Sequence, residues 1–516
     1  MFTSFAYTIK PHMYLLGYDI GSSSIKAALV DARNGATLAV TQSPESEMDM
    51  LAVQPGWAEQ QPESWWENAC QATKALLKQT GVAPAAIQAI GIAYQMHGLV
   101  AVDEKQEALR PSIIWCDSRA ISIGEEAQDA IGPARCFRQM LNTPGNFTAS
   151  KLKWVKDNEP GVYERIHKIM LPGDYIAMRL TGEIYTTPSG LSEGIMWDFE
   201  HNRPAQLTLD HFGFDASLLP EVLPTFSRQG KLTAAAAEAT GLVAGIEVAY
   251  RAGDQPNNAL SLNVLEAGEV AATGGTSGVV YGVVDKPMYD PESRVNAFAH
   301  VNHSAASPHI GILLCINGAG IQYRWAKQQM GHGGISYGEM ERLAASVPPG
   351  ADGLRILPFG NGAERMLGNK APGAQVNNLQ FNRHHQAHFF RAALEGIAFS
   401  FVYGMNILRE MGLNVQVIRV GNDNLFQSAV FSGTISNLMG SRIEVMETTG
   451  AVGAAKAAGV ACGLYASARE AMQGNKVVET FQPSSSNSAY EQAYGQWAGD
   501  LEKLLHSEPC SDGAAL

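Results

Sequence analysis

The sequence predicts an α/β protein built from two related domains, and three observations carry that expectation. Strand-like and helix-like stretches alternate along the chain. A short residue pattern near the start recurs about half a chain later. A length of 516 residues, at the usual size of domains, suggests two or three of them.

YLLGYDI reads as a strand, GSSS as a turn, and IKAALVDA as a second strand closed by the turn residues Arg33-Asn34-Gly35. The stretch from Glu63 to Lys78 reads as an amphipathic helix, because apolar residues at 65, 66, 69, 72, 76 and 77 recur at helical spacing. AIQAIGIAY is a buried-strand candidate leading into QMHG. Laid without a gap over Asp19–Asp31, the segment Thr273–Asp285 puts Gly275 on Gly21, Thr276 on Ser22, Ser277 on Ser23 and Asp285 on Asp31. Two apolar strands follow in phase, as a duplicated domain would give. The expected organisation is a first domain over 14–255, a second over 256–500, and a flexible tail over 501–516. PSSSNS at 483–488 reads as a polar loop.

Composition narrows the function. Hydrophobic residues at 46% with charged residues at 17% give ample apolar surface for sizeable cores. A net charge of −13 disfavours nucleic acid and anionic membranes as partners. It leaves nucleotide phosphates open, since backbone N–H groups and a divalent metal supply a local positive field. The six cysteines contain no CxxC pair, so neither a disulfide framework nor a zinc site is expected, and a reducing cytoplasm is the default. MFTSFAYTIKPHM has a single Lys and no apolar run long enough for a signal peptide. No run of about 18 apolar residues suggests a membrane span.

A small-residue turn between strands leaves backbone N–H groups free to face an anion, and Gly21 removes the Cβ that would block close approach. Asp19 beside such a turn would repel phosphate unless it held a cation, directly or through water. A plain hairpin capped by Asp and Ser is an equal reading of this stretch alone. The second copy, GGTSG, has no acid at the Asp19 position, as expected if one loop manages the metal and the other the phosphate tail. Asp254, after an apparent strand, is placed to take a proton from a hydroxyl during phosphoryl transfer; a helix N-cap is its commoner role. Gln95, Met96 and His97 stand at a strand end, where α/β proteins place ligands. His97 alone would more often be structural and Met96 core. VGNDNLFQS (420–428) and TGAVGAAKAAG (449–459) have small residues suited either to a flat ligand or to close helix packing.

Taken together, GYDIGSSSIK, PGWAEQQPESWW, YQMHGLV, LRPSIIWCDSR, GDQPNNAL, GGTSGVVY, GADGLRILPFGNGAER and GAVGAAKAAG, in this order from about Tyr14 to Gly463, resemble the FGGY family of carbohydrate kinases. The resemblance implies two actin/Hsp70/hexokinase-like (ribonuclease H-like) α/β domains, with ATP and sugar meeting in an interdomain active-site cleft. It implies Asp254 as general base and Asp19 as the residue serving Mg²⁺ and the phosphates. It carries sugar binding to Gln95, Met96, His97 and Gln255. It carries the nucleotide to Gly21, Ser22, Ser23 and Lys26 in the first loop, Gly275, Thr276 and Ser277 in the second, and Gly318, Gly421 and Asn422 beyond. Dimers are common in the family, so a homodimer is an expectation.

Three departures stand out. The residues before Asp254 are Arg251-Ala252-Gly253 where the family usually has glycine; GNDNLFQS replaces a GGGA-type loop; and TPSGLSEG (187–194) lacks an Asp that many members carry. The expected reaction is in-line transfer of the ATP γ-phosphoryl group to D-xylulose, giving D-xylulose 5-phosphate, with QMHG and LVAVD favouring that sugar. Ribulose, gluconate or a polyol is the nearest alternative. A non-catalytic sugar-binding regulator on the same fold is disfavoured by retention of Asp19 and Asp254. An Hsp70-like ATPase is disfavoured because no peptide-binding region follows the two halves.

Overall fold

YLLGYDI forms the strand Tyr14–Ile20 and IKAALVD its antiparallel partner Ile25–Asp31, both mostly buried. The computed structural model describes residues 12–331, 334–485 and 487–506. The opening stretch to residue 11, the end of the expected tail from 507 and Cys510 lie outside the described residues.

The chain packs as two units. One runs to Asn263 and takes in Thr449–Asn475; the other holds Val264–Thr448 and the chain from Lys476 on. The chain thus passes between units three times rather than once near 255. The reason is the helix Gly450–Ala461, whose small residues pack onto the first unit's sheet. A Cβ on Gly17 would lie 1.9 Å from the Ala451 carbonyl oxygen, and one on Gly91 1.9 Å from that of Ala454. Strand and helix backbones touch there, which only glycine permits.

The first unit's sheet runs, edge to edge, Glu247–Gly253, Ile87–Tyr94, Tyr14–Ile20, Ile25–Asp31, Thr37–Ser43. Three strands form an antiparallel meander, and Ile87–Tyr94 and Glu247–Gly253 join in parallel. The helix Pro62–Thr80 covers one face with Trp65, Trp66, Ala69, Ala72 and Leu76 buried, on the stripe the periodicity predicts.

The second unit repeats the plan. Ile310–Ile316, Gly278–Val284 and Glu269–Gly274 form the antiparallel meander, and Val417–Gly421 and Arg442–Glu447 follow in parallel. Two extra edge strands, Asn296–Ala299 and Lys476–Phe481, flank these five. The duplication read from a few residues is therefore a duplication of topology. The gapless match fails in one respect. Ile20 pairs with Ile25 across a four-residue turn, while Gly274 pairs with Gly278 across three residues. Val284, not Asp285, thus stands where Asp31 does.

The stretch expected as a tail from 501 begins inside the helix Ser488–His506. Leu501 is buried, and the Trp497 indole donates to the Ile356 carbonyl at 2.9 Å, so an apolar stripe holds this helix to the second unit.

Candidate active site

In the first unit the turn Gly21–Ser24 closes on itself through Gly21 N–H donating to the Ser24 carbonyl at 3.2 Å. Asp19 pairs across the hairpin with Lys26, an exposed residue whose charge lowers the Asp19 pKa; burial raises it more. Asp254 begins the helix Asp254–Ser261 directly after the strand ending at Gly253. Its carboxyl is pushed up to about 7, first by burial and second by the charge of Asp19, while hydrogen bonds from Gln255 pull it down. Both acids keep part of their surface open to a ligand. A helix N-terminus favours the carboxylate form, yet desolvation and a like charge win here.

Asn257, on the same helix, donates to the Gly450 carbonyl at 2.9 Å, and a Cβ on Gly450 would lie 2.6 Å from Asp19 Oδ2. The start of the Gly450–Ala461 helix thus forms a cradle around the Asp19 carboxyl. Small residues at 449–459 serve close helix packing along most of that helix and approach the site only at Gly450. Two like-charged carboxyls beside a glycine cradle fit a divalent cation, held by Asp19 directly or through water. Among the described residues no group of three or more His, Cys, Asp or Glu side chains is arranged for a metal, so its remaining ligands would be water and phosphate oxygens.

The segment after Tyr94 is tied to the hairpin: Gln95 N–H donates to the Ile20 carbonyl at 2.8 Å. Gln95 and Met96 are buried, with the Gln95 amide donating to Gln60 Oε1 at 3.3 Å. His97 adopts φ 61°, a left-handed conformation uncommon outside glycine, and stacks edge-on against Phe147. Its Nδ1 lies 2.9 Å from the Glu193 carbonyl oxygen, and Lys151 Nζ donates to the His97 carbonyl at 2.9 Å. Lys151 is fully buried, and desolvation lowers its pKa to about 7. A Cβ on Gly253 would meet Met96 Cγ at 2.6 Å and Glu193 Oε2 at 2.6 Å. QMHG, Gly253 and Asp254 are therefore neighbours.

In the second unit a cavity of about 540 Å³ opens beside the Gly274–Gly278 turn. Gly275 and Thr276 line it, as do Tyr323, Tyr337, Glu341 and, from the stretch 424–428, Asn424, Leu425, Gln427 and Ser428. Gly320 N–H donates to the Gly275 carbonyl and Ile321 N–H to that of Thr276, docking the helix Gly320–Met330 onto the turn. Tyr323 and Tyr337 stack with ring centroids 5.8 Å apart. Glu341 accepts from Ser428 Oγ at 2.6 Å and Val430 N–H at 2.9 Å, fixing the opposite wall. The size and mixed lining suit a small aromatic ligand carrying a charged tail.

Of the nucleotide-side residues, Gly275 and Thr276 line this cavity and Ser277 is exposed on the same turn. Gly318 is instead a packing glycine, since a Cβ would lie 1.7 Å from the Pro358 carbonyl oxygen. Gly421 and Asn422 precede the cavity-lining run, with Asn422 N–H bonded to the Met446 carbonyl. In the first unit Asp19, Gly21, Ser22, Ser23 and Lys26 share one hairpin, and Gln95, Met96, His97, Asp254 and Gln255 share one pair of strand ends. Sequence reasoning missed Glu193, Tyr94 and Lys151 in the first unit and Tyr323, Tyr337 and Glu341 in the second.

Residues 14–261 match the N-terminal domain of the FGGY family of carbohydrate kinases, and residues 270–462 match its C-terminal domain. The chain belongs to the FGGY family of carbohydrate kinases. As a member it is an ATP-dependent sugar phosphotransferase on an actin/hexokinase-like two-domain fold. A xylulose kinase of Lactococcus lactis subsp. lactis (strain IL1403) is 30% identical over 94% of this chain and 95% of its own. An L-xylulose/3-keto-L-gulonate kinase of Escherichia coli (strain K12) is also 30% identical, over 94% and 96%. The crystal structure of a xylulose kinase from Rhodospirillum rubrum superposes with a TM-score of 0.85 at 25% identity, covering 96% of this chain and 100% of that one. No described helix of this FGGY chain is long and apolar enough to cross a membrane.

Proposed function

We propose that this FGGY kinase transfers the γ-phosphoryl group of ATP to a terminal hydroxyl of D-xylulose, with Asp254 as general base. The observation that carries the reading is the Asp254–Asp19 relationship: burial and the neighbouring charge raise Asp254 to about 7. A carboxylate tuned to that range is strong enough to accept a hydroxyl proton and still largely ionised at slightly alkaline pH. Gln95, Met96 and His97 orient the sugar beside it. In the second unit the N–H groups of the Gly275–Ser277 turn hold the phosphate tail and the Tyr323/Tyr337 cavity beside them takes the adenosine end; in the first, the Ser22 and Ser23 N–H groups and hydroxyls are the donors offered to phosphate. Asp19 would hold Mg²⁺ directly or through water, and the ion would supply neutralisation of phosphate charge. Asp254 keeps the proton until product leaves.

A second reading keeps the chemistry and changes the sugar. It is favoured by the equal 30% identity to the L-xylulose/3-keto-L-gulonate kinase. Sugar-dependent ADP release from Mg·ATP decides between them, with D-xylulose, L-xylulose, ribulose, gluconate, glycerol and a no-sugar control side by side. Selective turnover of D-xylulose is expected; turnover of another sugar moves only the substrate. Absence of sugar-dependent release from folded protein would overturn the kinase reading.

A further inference from the structure

We propose that Glu193 is a specificity-determining residue of this site: its carboxyl binds hydroxyls of a neutral polyhydroxy substrate. The inference rests on the sugar-kinase reading of the same site. Glu193 ends the short helix Pro188–Glu193 and is 1% exposed, with the Tyr94 hydroxyl facing its carboxyl and the rest of that carboxyl's hydrogen-bonding capacity unused. A buried carboxyl with capacity to spare points to a ligand that completes it.

Its position says which ligand. Oε2 lies against Gly253, where even a methyl group would intrude at 2.6 Å, and Met96 flanks the same glycine. The Glu193 main-chain oxygen meets His97 Nδ1, so one residue touches both QMHG and the residue before Asp254. Nearby, Gln95 Oε1 is also buried with no hydrogen-bond partner. Arg251 does not complete Glu193; its partner is Asp174 at 3.4 Å. The result is a Glu193–Tyr94 pair and an amide oxygen with hydrogen-bonding capacity to spare beside the proposed base.

A cation is the wrong occupant. Burial, with Asp254 and Asp174 close by, holds the Glu193 carboxyl well above its usual range, which favours a neutral partner that both donates and accepts. Vicinal hydroxyls are such a partner. A substrate carboxylate would instead add a further negative group to Asp254 and Asp174.

The test measures binding by calorimetry without nucleotide, using D-xylulose and D-gluconate as probes and wild type, Glu193→Gln and Glu193→Ala. For Glu193→Ala we expect D-xylulose affinity to fall about tenfold, as for a lost neutral donor and acceptor, with the KM for ATP unchanged, while Glu193→Gln, which keeps a neutral donor and acceptor, stays close to wild type. A merely structural carboxyl would lower the thermal transition of Glu193→Ala and leave the D-xylulose affinity of the folded variant unchanged. Unchanged D-xylulose affinity in folded Glu193→Ala overturns the inference. So does a wild type that prefers gluconate or binds neither probe. A wild type that binds D-xylulose selectively but releases no ADP sinks the kinase reading alone, and the Glu193 variants are still judged by their affinities.

Discussion

Gly450 stands against the Asp19 carboxyl so closely that a single added methyl would sit 2.6 Å from Oδ2. The contact joins a hairpin near the start of the chain to a helix more than 400 residues later, and it fixes where Asp19 can point.

Gly450→Ala should therefore displace Asp19 without unfolding the protein. Gly450 has no left-handed backbone requirement, and Thr449 caps the helix by accepting from Val452 N–H. Turnover should fall ~10–100-fold through a misplaced carboxyl, while sugar affinity stays constant. Steady-state kinetics with a Mg²⁺ titration would show a raised metal requirement. Unchanged kinetics in the folded variant would remove Asp19 from metal and phosphate handling.

Asp254→Asn should retain fold and sugar binding and lose about 10²–10⁴-fold in turnover. The wild-type log(kcat/KM) should rise with pH and level off above about 7, where Asp254 is ionised. Stability runs the other way. The folded pKa lies above that of the unfolded chain, so the native state binds the extra proton between about 4 and 7. The Asp254 contribution to stability is present in acid and lost as pH rises through about 7. Melting curves should show Asp254→Asn gaining on wild type across that window; a constant difference would mean that Asp254 is not the strained acid.

The parts of this site legible in the sequence are those in which chemistry and local pattern coincide. Tyr14–Asp31 announces itself by two apolar runs around Gly-Ser-Ser-Ser, and Asp254 by an acid between a strand and a helix. Glu193 is hidden in the sequence because TPSGLSEG has no apolar periodicity to mark a buried face, and the short helix Pro188–Glu193 turns its acid inward. The GAVGAAKAAG stripe is small on every face, so its sequence does not say which unit it packs against. Tyr323, Tyr337 and Glu341 look like ordinary amphipathic-helix residues until folding sets them around the Gly275–Thr276 turn.

Glu341→Gln tests the second unit's cavity. The carboxylate accepts from Ser428 and from Val430 N–H at the start of the helix Ala429–Met439. Weakening those bonds should cost about 1 kcal/mol of stability and loosen the Asn424–Ser428 wall. The KM for ATP should rise several-fold with that for sugar unchanged. A rise in the sugar KM alone would place the nucleotide elsewhere.

Lys151 makes the last prediction. Its buried ammonium donates to the carbonyls of His97 and Ile114, both at 2.9 Å, so it pins the left-handed turn that presents the imidazole. Lys151→Met keeps the apolar stem and removes both bonds; the Ile114 carbonyl keeps the Asp117 N–H as donor, while the His97 carbonyl loses its lysine partner at a cost of about 1–3 kcal/mol. The turn should relax, and the sugar KM should rise about tenfold, matching His97→Ala, because both changes remove the same oriented ring. The double variant should be little worse than either single one, since residues acting through one structure are not additive. Independent, multiplying effects would show that Lys151 acts on something other than His97.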